Sequence, residues 1–158
     1  MTRKYMIAVA SSAVVALSSA ALSQQSGQYG NADDAKAMLF KAIAAVKADK
    51  TKALDLFNKG EGGFLDRDIY PFCINLSNGI QVATQIKSTL GADVRTFKDA
   101  TGRNFGQELF DAMTKAKEGE VVEFGFMFPR PGSGPAPVQK QAFVMKTGDV
   151  YCGVGYYK

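Results

Sequence analysis

The chain has 158 residues, of which 46% are hydrophobic and 22% charged, with 19 Lys and Arg against 15 Asp and Glu. It contains two cysteines and no histidine. The absence of histidine excludes Ser-His-Asp and Cys-His nucleophile pairs, histidine general bases, and histidine-ligated zinc or haem. What remains is carboxylate or lysine chemistry, or binding without catalysis.

The first 23 residues have the layout of a secretory signal peptide. Arg3 and Lys4 precede an apolar run that ends in an Ala-x-Ser cleavage pattern at Ser23. The run is shorter than the ~20 residues that a membrane-spanning helix needs. Residues 1–23 are therefore predicted to be a cleaved signal peptide, with an uncleaved anchor as the alternative.

Removal of this leader leaves about 135 residues and lowers the formal net charge from +4 to about +2. The remaining basic residues are scattered, without the patch that a phosphate-backbone binder needs, so nucleic acid is not expected as a partner. Residues 24–30 are polar and are predicted to be a flexible tether, and residues 31–158 are predicted to be a single domain. The leader predicts a periplasmic or secreted protein.

Two helices are predicted at the start of the domain. From Asn31 to about residue 49, apolar residues recur at spacings of three and four, and Asn31 or Asp33 can cap this long helix. A second, short helix is predicted to follow, with Thr51 as its N-cap and Gly60 as its C-cap glycine.

The rest of the chain is predicted to form a sheet and one more helix. Residues 69–76 and 80–84 are typical of a hairpin around the Ser77-Asn78-Gly79 turn. Asn104 is positioned to cap a later amphipathic helix. Three further strands are predicted at residues 120–128, 139–146 and 150–157. This order of elements indicates an α+β fold, with an antiparallel sheet and the helices on one side.

The two cysteines lie in the first and last predicted strands. Cys73 and Cys152 are 79 positions apart. In an exported protein an even cysteine count usually indicates a disulfide. A disulfide is therefore predicted, with two buried thiols or a redox pair as the alternatives.

The most suggestive pattern for function begins in the third strand. Phe126 and Phe128 lie on an aromatic face, Arg130 follows them, and Lys140 lies on the next strand. A positive charge beside an aromatic-walled cavity suits a small carboxylate. The alternatives are plain core packing for the phenylalanines and a solvated position for Lys140. The glycine-rich segments fit no nucleotide-binding motif, and neither a metal nor a cofactor is predicted.

Seven segments resemble a known family in their order and spacing. They are Asp68-Ile69-Tyr70-Pro71-Phe72-Cys73-Ile74, Asn78-Gly79, Leu90-Gly91-Ala92-Asp93-Val94, Asp99-x-x-Gly102, Phe128-Pro129-Arg130-Pro131-Gly132, Lys140 and Cys152-Gly153-Val154-Gly155-Tyr156. They are similar to the single Cache domain, type 2, in its stand-alone exported form, and the likeness covers residues 31–158. It implies a PAS-like fold with a long N-terminal helix and a five-stranded antiparallel sheet, whose outer face holds short organic acids such as acetate, lactate or pyruvate. It also implies that the first strand lies beside the last, as the disulfide requires.

The resemblance implies a ligand site but also shows departures from the family's pattern. The implied ligand-binding residues are Tyr70, Phe72, Phe126, Phe128, Arg130, Lys140 and Tyr156. Thr84-Gln85 stands where the family commonly has His-Pro, Phe126-Met127-Phe128-Pro129 stands for Tyr-x-Trp-Pro, and Phe143 replaces a tyrosine. Because each lost hydrogen bond to a charge is worth roughly 1.5–3 kcal/mol, these changes predict weaker carboxylate binding or a more apolar ligand.

The function implied by the resemblance is binding or sensing of a short organic acid by an exported module, and not catalysis. A membrane receptor or kinase is the expected signalling partner, and a homodimer through the N-terminal helix is also expected. The alternative is a ligand-free structural or protein-interaction module of the same fold, with its pocket filled by phenylalanine side chains.

Overall fold

The computed structural model describes residues 27–158, so the predicted signal peptide lies outside the described residues. The helices are α1 (Ala32–Ala48), α2 (Lys50–Lys59) and α3 (Phe105–Lys115), with short 3-10 helices at Lys87–Thr89 and Val94–Thr96. The strands are β1 (Pro71–Asn75), β2 (Gln81–Ala83), β3 (Val121–Pro129), β4 (Pro137–Thr147) and β5 (Val150–Tyr157). In the described part of the chain, every helix is too short or too polar to cross a membrane.

The helix α1 begins at a capping box. The Asn31 side chain accepts hydrogen bonds from the backbone N–H groups of Asp33 and Asp34, at 2.9 and 3.0 Å. The Asp34 carboxylate in turn accepts from the Asn31 N–H at 3.1 Å. These bonds satisfy donors that the helix itself leaves unpaired, and they confirm Asn31 as the N-cap.

The helix α2 begins two residues earlier than predicted. Its N-cap is Asp49, whose carboxylate accepts a hydrogen bond from the Lys52 N–H at 3.0 Å. Thr51 therefore lies inside the first turn and does not cap the helix. Gly60 ends α2 as predicted, in the left-handed conformation with φ 71°, which glycine adopts without a steric cost.

The five strands form one antiparallel sheet in the order β2-β1-β5-β4-β3. The first and last strands are therefore neighbours, as the sequence resemblance implied. Cys73 lies directly opposite Cys152 in this pair of strands. The two residues are joined by the predicted disulfide, which ties the middle of the sheet together.

The two faces of the sheet are covered by different helices. Phe143 and Cys152 belong to the core under α1 and α2. Val144 and Tyr151 alternate with them and belong to a second core, to which α3 contributes Leu109. The five-stranded α+β fold is confirmed, but α3 lies on the opposite side from the other helices. An amphipathic pattern shows that a helix face is buried without showing which face of the sheet it meets.

Residues 27–30 are anchored to the loop before β1. Arg67 Nη1 donates to the carbonyl oxygen of Tyr29 at 3.1 Å. The Gly30 N–H donates to Asp68 Oδ1 at 2.8 Å, in a buried position. The backbones of Tyr29 and Gly30, in the segment predicted to be a tether, are therefore held by side chains 38 positions away.

Candidate ligand-binding site

A small cavity of about 60 Å³ lies on the α3 side of the sheet. Most of its wall is apolar, since α3 and the neighbouring 3-10 segments close it with aliphatic and phenylalanine side chains. The lining residues are Tyr70, Phe72, Ile74, Gln81, Thr84, Ile86, Thr89, Val94, Phe97, Phe105, Leu109, Phe126, Phe128 and Lys140. Five of the seven residues proposed from the sequence are therefore brought together around one cavity.

Lys140 contributes a cationic group to this wall, although the residue is only 5% exposed. Its Nζ donates a hydrogen bond to the Tyr70 hydroxyl oxygen at 3.3 Å. The same nitrogen lies 4.7 Å from the ring centroid of Tyr157, 4.9 Å from that of Tyr70 and 5.4 Å from that of Phe128. These rings offset part of the cost of burying the charge. An ammonium group has three N–H donors, and within the described residues only the Tyr70 bond is made.

The pKa of Lys140 is lowered from 10.5 to about 8. The main cause is burial, which removes water from the charged form, and the negative charge of Asp68 opposes the shift. Burial also raises the pKa of Tyr70 well above its ordinary value, so the hydroxyl beside Lys140 stays protonated at neutral pH. The site therefore holds an under-solvated cation that an anion would stabilise.

The register of β4 against β5 explains how a lysine fits into this core. Gly155 on β5 lies opposite Ala142, one step along the same face from Lys140. A Cβ at Gly155 would lie 2.5 Å from Lys140 Cε. The absence of a side chain at this position thus leaves the space that the lysine stem occupies.

Arg130 is placed beside the site but not in the cavity wall. Its Nε is 3.8 Å from Asp68 Oδ2, an ion pair too long to be a hydrogen bond. Its guanidinium stacks on the rings of Tyr29 and Tyr157, at 3.9 and 4.8 Å from their centroids. The expected ligand contact is therefore corrected: the carboxylate that Arg130 faces belongs to the protein.

Tyr156 is also corrected, because it points to the other face of the sheet. Its ring stacks on Phe143 at 5.8 Å, in the core under α1. Successive residues of a strand alternate between faces, so the neighbouring Tyr157 takes the position beside Lys140. The Tyr157 hydroxyl donates to the Pro129 carbonyl oxygen at 2.8 Å, which holds the ring in place.

The departures from the family pattern fall in two different places. Thr84, Phe126 and Phe128 line the cavity. They stand where the family pattern has histidine, tyrosine and tryptophan, so these three differences change the chemistry of the cavity wall. Phe143 packs on the opposite face. The loss of the family's tyrosine hydroxyl at this position therefore takes no polar group from the cavity.

Several wall residues were missed in the sequence. Gln81 and Thr89 add polar groups, while Phe105 from α3 stacks on Phe126 with ring centroids 4.5 Å apart and fills part of the space. Tyr157 does not line the cavity, but strand alternation could have placed it on the same face as Lys140. No short-range signal could have placed the 3-10 segments or α3 over the sheet, because that placement depends on contacts between distant parts of the chain. Within residues 27–158, acidic and cysteine side chains form no cluster suited to a metal ion.

The sequence matches no known protein-family model and no curated protein. Three solved structures are similar. A methyl-accepting chemotaxis protein from Vibrio parahaemolyticus RIMD 2210633 has a TM-score of 0.59 at 23% identity, over 79% of this chain and 86% of that chain. A periplasmic sensor domain of a chemotaxis protein has a TM-score of 0.58 at 19% identity, over 79% and 88%. A Cache chemosensory domain, described for its carboxylic acid recognition, has a TM-score of 0.55 at 19% identity, over 77% and 84%.

These structures define the class of fold, which is that of PAS-like sensor domains. Within that class the chain has the fold of a single Cache domain. The resemblance seen in the sequence is thereby confirmed at the level of the fold.

Proposed function

We propose that this protein is an exported, non-enzymatic sensing module that binds a short organic acid in the cavity beside Lys140. The observation that carries the proposal is the buried ammonium group, which faces an apolar cavity and has one hydrogen bond within the described residues. A ligand carboxylate would accept the remaining N–H donors of Lys140 and neutralise its charge. A charge-assisted bond of this kind is stronger than a neutral one.

The cavity favours the smallest members of the acetate, lactate and pyruvate class. A volume of about 60 Å³ holds a few water-sized groups at most, and acetate has four non-hydrogen atoms. The aromatic and aliphatic walls suit a methyl group better than a hydroxyl or keto group. We therefore place acetate first among the candidate ligands.

Export and signalling are part of the same proposal. Residues 1–23 would act as a cleaved signal peptide and residues 31–158 as the Cache domain, in the periplasm or outside the cell. One similar structure is a periplasmic sensor domain of a chemotaxis protein, which supports this location. A membrane receptor or kinase would transmit the signal, and a second copy paired through α1 would form the active dimer.

A thermal-shift titration of the mature protein tests the proposal. Acetate at 100 times its dissociation constant should add about 2.7 kcal/mol of stability, which raises Tm by roughly 8–12 °C for a domain of this size. Acetamide, which has the same shape without the charge, should raise it far less. The Lys140→Met variant should lose the response.

The matched control is Lys146→Met, which changes a lysine on the same strand outside the cavity. It should respond to acetate as the unmodified protein does. If acetate, propionate, lactate and pyruvate all leave Tm unchanged, the ligand-binding proposal fails. The stack of Phe105 on Phe126 would then favour the alternative, a ligand-free interaction module whose pocket is filled from within.

A further inference from the structure

Lys140 has surroundings that suit a second kind of chemistry. The residue lines an apolar cavity, and its Nζ is 3.3 Å from a tyrosine hydroxyl. A lysine amine becomes a nucleophile when it is desolvated in a hydrophobic pocket. From this geometry we propose that the neutral amine of Lys140 reversibly captures short aldehydes as a covalent imine. This goes beyond carboxylate binding, because it uses the other protonation state of the same nitrogen.

The charged groups that face Lys140 allow the neutral state to form. Tyr70 precedes β1 and Tyr157 ends β5, and the pKa of each hydroxyl is raised mainly by burial, so both are neutral near pH 8. Asp68 is the carboxylate that favours the ammonium form. Asp68 is also ion-paired with Arg130 at 3.8 Å, and this pairing limits its pull on Lys140.

The capture step needs no oxidant or reductant. The Nζ lone pair attacks the carbonyl carbon, and a proton passes from nitrogen to the carbonyl oxygen to give a carbinolamine. Loss of this hydroxyl group and the second Nζ proton as water then leaves the C=N bond. The Tyr70 hydroxyl is 3.3 Å from Nζ, so it is the group that we expect to donate a hydrogen bond to the departing oxygen.

The cavity also sets the size of the aldehyde. About 60 Å³ accommodates formaldehyde or acetaldehyde, while the phenylalanine walls exclude aromatic or sugar aldehydes. The neutral fraction of Lys140 at pH 7.5 is roughly 200 times that of a lysine with an ordinary pKa of 10.5. Part of this advantage is lost because a low-pKa amine is a weaker nucleophile and because Lys140 is buried.

Reductive trapping tests the proposal on the unmodified mature protein. A brief pulse of acetaldehyde with sodium cyanoborohydride at pH 7.5 converts an imine to an N-ethyl lysine, which peptide mass spectrometry locates. We expect Lys140 to be ethylated at least about tenfold faster than the exposed lysines at positions 36, 47 and 158, given their difference in neutral fraction. Benzaldehyde should not label Lys140 preferentially.

The exposed lysines in the same digest are an internal control, so the result does not depend on a variant that folds. Labelling of Lys140 no faster than the exposed lysines would overturn the proposal. Acetate added at saturation separates the two functions. If acetate binds the protein but Lys140 is not labelled in samples without acetate, only the imine proposal fails. If Lys140 is labelled and acetate does not reduce the labelling, the imine proposal stands and the result counts against carboxylate binding.

Discussion

At the scale of single residues, the proposed ligand binding depends on the charge state of Lys140. Its pKa of about 8 reflects burial, and a bound carboxylate would favour the ammonium form. Affinity for acetate should therefore be nearly constant below pH 7 and should fall by up to about tenfold per pH unit above pH 8. Isothermal titration calorimetry from pH 6 to 9.5 measures this. A flat profile across that range would show that Lys140 does not hold the ligand.

Gly155 gives a second test at this scale. The Gly155→Ala substitution places a methyl group against Lys140 Cε, which displaces the ammonium group from its position beside Tyr70. We expect acetate affinity to fall about tenfold or more, with destabilisation of about 1–3 kcal/mol from overpacking. The control is Ala48→Gly in α1, which destabilises the fold far from the cavity. Gly148→Ala is not used as the control, because the positive φ of Gly148 would add backbone strain. Equal acetate affinity in Gly155→Ala and Ala48→Gly would contradict the role given to Gly155.

The sequence predicted several residues that meet at one cavity, but it did not predict the boundary of that cavity. Lys140, Phe126 and Phe128 could be predicted because alternation and charge are visible within one or two strands. Tyr156 was wrong by one position, and a shift of one residue on a strand moves a side chain to the opposite face. Arg130 could not be excluded from the wall, since the carboxylate that it faces lies 62 positions earlier in the chain.

At the scale of elements, the disulfide joins β1 directly to β5. It closes a loop with a sequence separation of 79, which corresponds to about 4 kcal/mol in the chain-entropy model. Reduction should therefore lower the free energy of unfolding by about that amount, and urea denaturation with and without reductant measures it. In the Cys73→Ala/Cys152→Ala variant, reductant should change nothing. A reduced protein as stable as the oxidised one would contradict this role.

The capping box of α1 is a separate test of an element. Asn31→Ala removes the acceptor for two backbone N–H groups and should destabilise the protein by about 1 kcal/mol. Asn31→Ser keeps a capping oxygen and should cost only a few tenths of that amount. Urea midpoints compare the two variants. Equal losses in both would show that the cap does not depend on the side-chain oxygen.

The existence and type of each long element could be predicted, but their arrangement could not be predicted fully. Helical periodicity defined α1 and α3, and the Asn78-Gly79 turn defined the hairpin of β1 and β2. The start of α2 was missed because Asp49 ends one helix and caps the next. The placement of α3 depends on its long-range packing over the sheet, which no local pattern contains.

At the scale of the whole molecule, the buried ammonium group of Lys140 lowers the free energy of unfolding. Because the unfolded chain binds a proton at Lys140 up to pH 10.5 and the folded chain only to about pH 8, stability gains from this group as pH rises. The unfolding free energy of the protein minus that of Lys140→Met should rise by about 2 kcal/mol between pH 7 and 10. Urea denaturation of both proteins at these pH values gives the difference, and a constant difference would contradict the assigned burial.

The cavity is also connected to the start of α1 through the loop before β1. Tyr70 contacts Lys140, while Asp68, two residues earlier, holds the Gly30 N–H just before the α1 N-cap. A change in the position or charge of Lys140 is therefore separated from the N-terminus of α1 by only a few contacts. In the proposed dimer of α1 helices, this series of contacts would couple ligand binding at Lys140 to the dimer interface.

The measurement that tests the central claim most directly is an NMR titration of the Lys140 Nζ, in protein labelled with ¹⁵N-lysine. Without ligand its pKa should be about 8, and saturating acetate should raise it by at least about one unit, since an adjacent carboxylate favours the charged form. Acetamide should leave it unchanged. An Nζ that titrates near 10.5, or a pKa that acetate does not move, would contradict the account of Lys140 as a buried cation that binds a carboxylate.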